Sequence, residues 1–414
     1  MDEIMTPEIE KRIKAVRAGR IPAGYKRTAG GIVPNEWEET ALEKCLVEYK
    51  EKTTKPNQYP MLTSARTALM LQSDYYSGHQ VTTDDNVGYN VLPRGYVTFR
   101  SRSDDGRFKF NENNIIDKGI ISYFYPVFSF NNHVDHKYML FLLNETIYRQ
   151  MFPYNEGTAQ MVLSFNKLKS LQYSIPPLSE QKKIAEILAT QDRVIELKEK
   201  LIAEKQSQKK YLMSVLLGDD FKKPFKLNGV TIDKKKWEKS TIGRISDIST
   251  GNKDTQNKKD NGKYPFYVRS PNPEKIDTYS YDGEAILTAG DGVGVGKVIH
   301  YVTGKFDFHQ RVYKISDFDN HKAWGRFVYF YFLEHFYNRV KRMSAKNSVD
   351  SVRYNMISEM PLNLPTLPEQ KSIAEVLSAA DEEISLLQKD LEQEKLKKKS
   401  LMQLLLTGLV RVNE

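Results

Sequence analysis

The chain has 414 residues, with 62 Lys plus Arg against 53 Asp plus Glu and a formal charge of +9. That length supports two or three domains with cores of their own, and the basic excess favours a polyanionic partner. Cys45 is the single cysteine, which excludes an intrachain disulfide and every multi-cysteine metal site, and no apolar run is long enough to span a membrane.

Residues 1–24 read as an N-terminal helical segment, with Thr6 placed to cap, Pro7 in the first position and Ile9, Ile13 and Val16 on one face. A turn-rich stretch leads to Trp37. Residues 25–175 then mix short β-patterned runs (YPMLTS, GYVTFRS, GIISYFYPVFSF) with polar loops and a helical MLFLLN, which describes an α+β domain. Residues 176–218 form a long amphipathic helix, 219–236 a basic linker, and Trp237 opens a second α+β domain over 237–364. Its motifs repeat the first domain's order: WEKSTIGRISDI matches WEETALEKCL, YPFYVRS matches YPMLTSA, YDGEAILTAGDG matches PRGYVTFRSRSDDG and FDFHQRVYKI matches IDKGIISYFY. A second long helix fills 365–410.

The two long helices are copies. An offset of 189 aligns Leu178 with Leu367, Glu180-Gln181 with Glu369-Gln370, Ile184-Ala185-Glu186 with Ile373-Ala374-Glu375 and Lys209-Lys210 with Lys398-Lys399. Leu377, Ala380, Ile384, Leu387, Leu391, Leu401 and Leu405 follow a heptad seam, matched by Leu188, Ile195, Ile202, Leu212 and Leu216. Gln191, Lys198, Lys205, Lys209, Glu394 and Lys398 interrupt these seams. Ser179 and Thr366 are the expected caps, and Gly218 and Gly408 stand where each helix would stop. The first helix leads out of one domain into the other and the second leads back, so they are expected to pair antiparallel. The fold class is therefore two α+β domains separated by two long antiparallel coiled-coil helices, with an internal pseudo-two-fold repeat. The N-terminal helix is expected beside the end of the second long helix.

These features resemble the specificity subunit of type I restriction-modification systems. The resemblance rests on Trp37 and Trp237 opening two recognition domains, on Asn166 and Asn355 in Asn-x-(Leu/Ile) elements, and on the doubled P-x-L-x-E-Q-x-x-I-A-E-(I/V)-L helix start. It implies a chain with no active site, cofactor or metal of its own. Such a subunit recognises a split sequence in double-stranded DNA, one half per domain. It carries two modification subunits, which use S-adenosylmethionine to methylate adenine, and restriction subunits that translocate and cut with ATP and Mg. A cytoplasmic location follows, and no signal-peptide pattern opens the chain. The competing enzyme reading lacks its strings: there is no Asn/Asp-Pro-Pro-Tyr/Phe motif beside a glycine-bearing cofactor loop. A purely structural coiled-coil scaffold would leave two dissimilar globular inserts unexplained.

Candidate DNA contacts follow from residue type. GDGVGVGK at 290–297 fits neither GxxxxGK[ST] nor GxGxxG and reads as a glycine hairpin approaching a DNA backbone, with Lys297 on a phosphate. FHQR at 308–311, taken as an edge strand, offers His309, Gln310 and Arg311, glutamine suiting adenine and arginine guanine. In RSRSDDGRFKF, Arg100, Arg102, Arg107 and Lys109 surround a turn, either as DNA contacts or as a surface loop bridged to Asp104 and Asp105. Arg66 and Arg269 follow the Tyr-Pro pairs of the two domains as paired candidates, while Trp37 and Trp237 read as core anchors. Glu180, Gln181, Glu369 and Gln370 are candidates either for a modification-subunit interface or for helix-start contacts with their own domains.

Overall fold

The structure is a computed structural model that describes residues 6–28, 31–76, 85–151, 161–218, 223–292, 294–343 and 351–412. It divides into a first unit, Met1–Leu197 with Leu391–Glu414, and a second unit, Lys198–Asp390.

In the first unit, strands β1 (Leu46–Tyr49), β2 (Val97–Phe99), β3 (Phe110–Glu112) and β4 (Val127–Phe130) form an antiparallel sheet in the order β3-β2-β4-β1. All three residues of the interior strand β2 are buried. A helix, His136–Met151, covers the sheet with Tyr138, Met139, Leu142, Leu143 and Ile147, the spacing of one helical face. Ile184 and Leu188 from the start of the first long helix join this core, as do Leu401 and Leu405 from the end of the second. The N-terminal helix, Pro7–Arg17, is capped by Thr6, packs Ile9 on the same core and donates from Arg12 to the Leu409 carbonyl at 2.7 Å.

The second unit repeats the plan. Strands β5 (Asp247–Thr250), β6 (Ala285–Ala289), β7 (Ile299–Val302) and β8 (Val312–Ser316) pair antiparallel in the order β7-β6-β8-β5, the same order as the first sheet. All five residues of β6 are buried, as its continuous apolar run AILTA requires of a central strand. The helix Gly325–Met343 packs Phe327, Phe330, Phe332 and Phe336 into the core, together with Trp237, Leu216, Ile373 and Leu377.

The long helices span Leu178–Leu217 and Leu367–Leu405 and pair antiparallel within each unit. In the first unit Gln191 donates to Glu394 at 2.7 Å and Asp192 pairs with Lys398. In the second, Lys198 pairs with Asp390, Lys205 with Glu383 at 2.6 Å, and Lys209 with Asp381. The polar interruptions of the two seams thus answer charges on the facing helix. Thr366 precedes the second helix, where Glu369 Oε2 reaches back to accept from its backbone N–H at 2.9 Å and its hydroxyl at 2.8 Å. Ser179 does not cap the first: the helix begins at Leu178, and the Pro177 carbonyl already accepts from Gln181 N–H at 3.0 Å.

Candidate nucleic-acid interface

Strand register puts the loops of the two sheets into correspondence. Ile120 bridges Met61 in parallel, as Asp307 pairs with Phe266, and both Met61 and Phe266 follow a Tyr-Pro pair. Further along, Arg102 pairs with Val162 where Asp291 pairs with Ser351. Ser122, Tyr123 and Phe124, which lead into β4, therefore hold the places of His309, Gln310 and Arg311, which lead into β8. Ser101 and Arg102 likewise hold those of Gly290 and Asp291. Hydrogen bonds repeat with the register: the Ser101 carbonyl accepts from Leu163 N–H at 2.9 Å and the Gly290 carbonyl from Val352 N–H at 2.7 Å. Both units thus present the same end of the sheet and fill it with different side chains.

In the second unit this end is a cluster of polar groups. The strand expected over 308–311 ends at Phe308: His309 bridges Lys253, and a turn at 310–311 follows, closed by Val312 N–H on the His309 carbonyl at 2.9 Å and flanked by Gln310 N–H on the Lys253 carbonyl at 2.8 Å and Gly290 N–H on the Arg311 carbonyl at 2.7 Å. A Cβ on Gly290 would lie 2.9 Å from that carbonyl oxygen, so glycine permits the close approach, and Gly292 turns the loop at φ +78°. Arg269 donates to Asp291 at 2.8 Å, Arg311 approaches the same carboxylate at 3.7 Å, and Gln310 Nε2 donates to Asp254 at 2.8 Å. Arg311, Gln310 and Lys297 are exposed, Lys297 lying over the Tyr337 ring at 5.6 Å. His309 is not: its side chain is 4% exposed beneath the tip, with Nδ1 accepting from Arg311 N–H at 2.9 Å. Burial and the Arg269 guanidinium push its pKa down against the opposing pull of Asp254 and Asp291, with Arg311 also lowering it. Ser122 does the same work in the first unit, its hydroxyl accepting from Phe124 N–H at 3.4 Å.

In the first unit Arg66 donates to Asp105 at 3.0 Å, which also accepts from the Ser103 hydroxyl and the Arg107 amide. This is the surface-loop alternative for Asp105, and it echoes Arg269 with Asp291. Arg107 lies toward the Tyr148 ring at 6.0 Å. Lys109 is half-buried, and its pKa is lowered by burial and by Lys398, with Asp192 opposing. Arg100 and Arg102 stay exposed and line a cleft of about 670 Å³ with Lys50, Lys52, Tyr123 and Phe124. Lys50, Lys52, Tyr123, Phe124, Lys253 and Asp254 were not among the sequence candidates. The signal for the aromatic pair lay in SYFYP, whose unbroken aromatic run ending in proline suits a tip better than an alternating strand.

The Glu-Gln pairs lie inside their own units. Gln181 accepts from Asp135 N–H and donates to the Pro176 carbonyl, both at 2.8 Å. Gln370 accepts from Trp324 N–H at 2.8 Å and donates to the Lys322 and Pro365 carbonyls at 2.7 and 2.8 Å. Glu369 accepts from Trp237 Nε1 at 3.3 Å, and Glu180 takes a two-point contact from Arg411 at 2.7 and 2.9 Å. All four are buried, and their contacts are those of the helix-start alternative, in which each pair ties its long helix to its own domain.

The profile of the family described as Type I restriction modification DNA specificity domain matches residues 40–205 and again 234–396. The chain belongs to this family. It is a type I restriction-modification specificity subunit with two target-recognition domains. A Methanocaldococcus jannaschii protein assigned as the type I restriction enzyme MjaX specificity subunit is 24% identical over 433 residues, spanning 94% of this chain and 97% of its own. The type I restriction enzyme EcoDI specificity subunit of Escherichia coli is 27% identical over 157 residues, 38% of this chain and 34% of its own. Among solved structures, the S subunit of a type I restriction-modification system from M. genitalium superposes with a TM-score of 0.59 at 14% identity, covering 89% of this specificity subunit and 96% of that chain. A chain from a study of assembly and conformational transition of the type I R-M system gives 0.52 at 15% identity, covering 91% and 99%. These two likenesses concern the fold.

Proposed function

We propose that this specificity subunit directs a type I restriction-modification complex to a bipartite duplex sequence, residues 25–175 reading one half and 237–364 the other. The observation that carries this reading is the repeated end of the sheet: one register, one set of backbone hydrogen bonds, and side chains that differ at each equivalent tip. Conserved geometry with variable tips is what a pair of readers needs to address two unlike half-sites. In the second domain Gln310 and Arg311 are the base-edge candidates, with Arg269 and Lys297 toward phosphate; in the first, Arg66, Arg100, Arg102 and Arg107 are the basic contacts. The chain supplies recognition and no chemistry. S-adenosylmethionine belongs to two modification subunits, and ATP and Mg belong to the restriction subunits.

The test is a chimera in which residues 38–165 are replaced by the equivalent domain of a relative, expressed with its modification subunits. Methylation-site mapping is expected to show one half-site changed and the other intact. Altered bases in both halves would sink the modular reading, and methyl transfer by the purified chain alone would overturn the non-catalytic assignment.

A further inference from the structure

The tip of the first domain is chemically unlike its counterpart in the second. Where Gln310 and Arg311 offer an amide and a guanidinium, Tyr123 and Phe124 offer rings that are 53% and 61% exposed. Their centroids lie 4.1 Å apart at 39°. Phenylalanine has no hydrogen-bonding group, so base-edge readout of the kind open to Arg311 is closed to Phe124.

The rings stand on a pinned turn. Tyr125 N–H donates to the Ser122 carbonyl at 2.9 Å, Asn90 Nδ2 donates to the Tyr123 and Tyr125 carbonyls at 3.4 and 2.8 Å, and the Ser101 hydroxyl donates to the Phe124 carbonyl at 2.8 Å. The Tyr89 ring backs Tyr123 edge-on at 5.9 Å. Apolar rings held rigidly in water lose little conformational entropy on docking and gain the burial they lack. Around them, Arg100, Arg102, Lys50 and Lys52 line the cleft, whose acid is Glu48, already near Lys50 at 3.3 Å and Lys169 at 3.6 Å. Paired aromatics inside a cationic rim match a nucleobase flanked by phosphates.

We propose that Tyr123 and Phe124 form a stacking wedge that inserts at one base step of the half-site read by the first domain, while the four cations neutralise the flanking phosphates. This rests on the reading of that domain as a DNA reader, and it makes readout there depend on how easily a step unstacks. Pyrimidine–purine steps, the most deformable, are the favoured class.

The full chain with its modification subunits, after its target has been mapped by methylation sequencing, is bound to duplexes carrying 2-aminopurine for adenine or pyrrolocytosine for cytosine at successive positions of both half-sites. The expected result is a severalfold rise in emission at one step in one half-site, apart from the methylated adenine, whose extrusion belongs to the modification subunit. In Y123A/F124A that rise is lost while the signal in the other half-site and the thermal unfolding temperature are kept, and Phe124→Trp retains it. No such rise in the bound wild-type complex, or a rise that survives in Y123A/F124A, overturns the wedge while leaving bipartite recognition intact. A complex whose target owes no bases to residues 25–175 in the chimera experiment removes the underlying reading as well.

Discussion

Gln370 lies fully buried, with its amide divided among three backbone groups. Replacing it with alanine strands Trp324 N–H and two carbonyls, at a cost of about 1–3 kcal/mol for such unsatisfied groups. Urea unfolding of Gln370→Ala is expected to show that loss. Unchanged stability with failed assembly would favour the partner role. His309 gives a pH dependence of definite sign. Its folded pKa lies below the ordinary 6.5, so the unfolded chain binds the extra proton. The stabilisation is present above about 6.5 and is lost as pH falls through the lowered folded value. Urea midpoints measured on either side of that window are expected to fall on acidification. His309→Asn, which keeps an acceptor for the Arg311 amide, is expected to lessen the dependence, leaving the part due to His300, whose pKa burial also lowers; an unaltered profile would exclude His309 as a source. At the exposed tip, changing Gln310 is expected to cost about 1–3 kcal/mol of discrimination at one base. Removing Lys297 is expected to weaken cognate and scrambled duplexes alike and to reduce the salt slope by about one. Salt titrations with both duplexes separate the two residues, and equal losses on both duplexes for Gln310 would take it off the reader list.

At the scale of elements, the seam of the long helices is held by leucines and by charges that meet only in the antiparallel register. Lys209 pairs with Asp381, is 16% exposed against 33% for its partner, and also lies over the Phe330 ring at 5.7 Å. A double-mutant cycle of Lys209→Ala and Asp381→Ala is expected to give a coupling of about 1 kcal/mol, the upper range for a pair still reached by solvent. A coupling of zero would assign the register to the leucines alone. Elements of this kind were legible in the sequence because their signals are periodic: the helix copies, the Thr6 cap and the repeated domain order all follow from spacing. Short tips were not. His309 is a candidate by side-chain type alone, and that chemistry does not say which way a turn residue points; the acceptor bond to Arg311 N–H does. Ser179 failed as a cap because Pro177, the preceding proline, ends the extended entry one residue earlier.

For the whole molecule, each core borrows from the long helices. Leu401, Leu405, Leu406 and Val410 lie in the core of the first unit beside Val97 and Phe128. Truncation after Ser400 is therefore expected to damage the domain encoded by residues 25–175 and to spare the one encoded by 237–364. Hydrogen exchange should show lost protection in β1–β4 and retained protection in β5–β8. The opposite pattern would mean that these four side chains are dispensable to the first core.

The discontinuity of the first unit also has a temporal side. Residues 198–390 form a contiguous stretch, whereas Met1–Leu197 is completed only by Leu391–Glu414. On the ribosome, the domain translated second is thus the first able to close its core, and the domain translated first waits for Leu391–Glu414 to be made. During that interval the apolar surfaces of Leu142, Ile184 and Leu188 lack the leucines that cover them in the finished chain. Slowing translation ahead of codon 391 would lengthen the wait, so for this protein the rate of elongation bears on the fate of its N-terminal half.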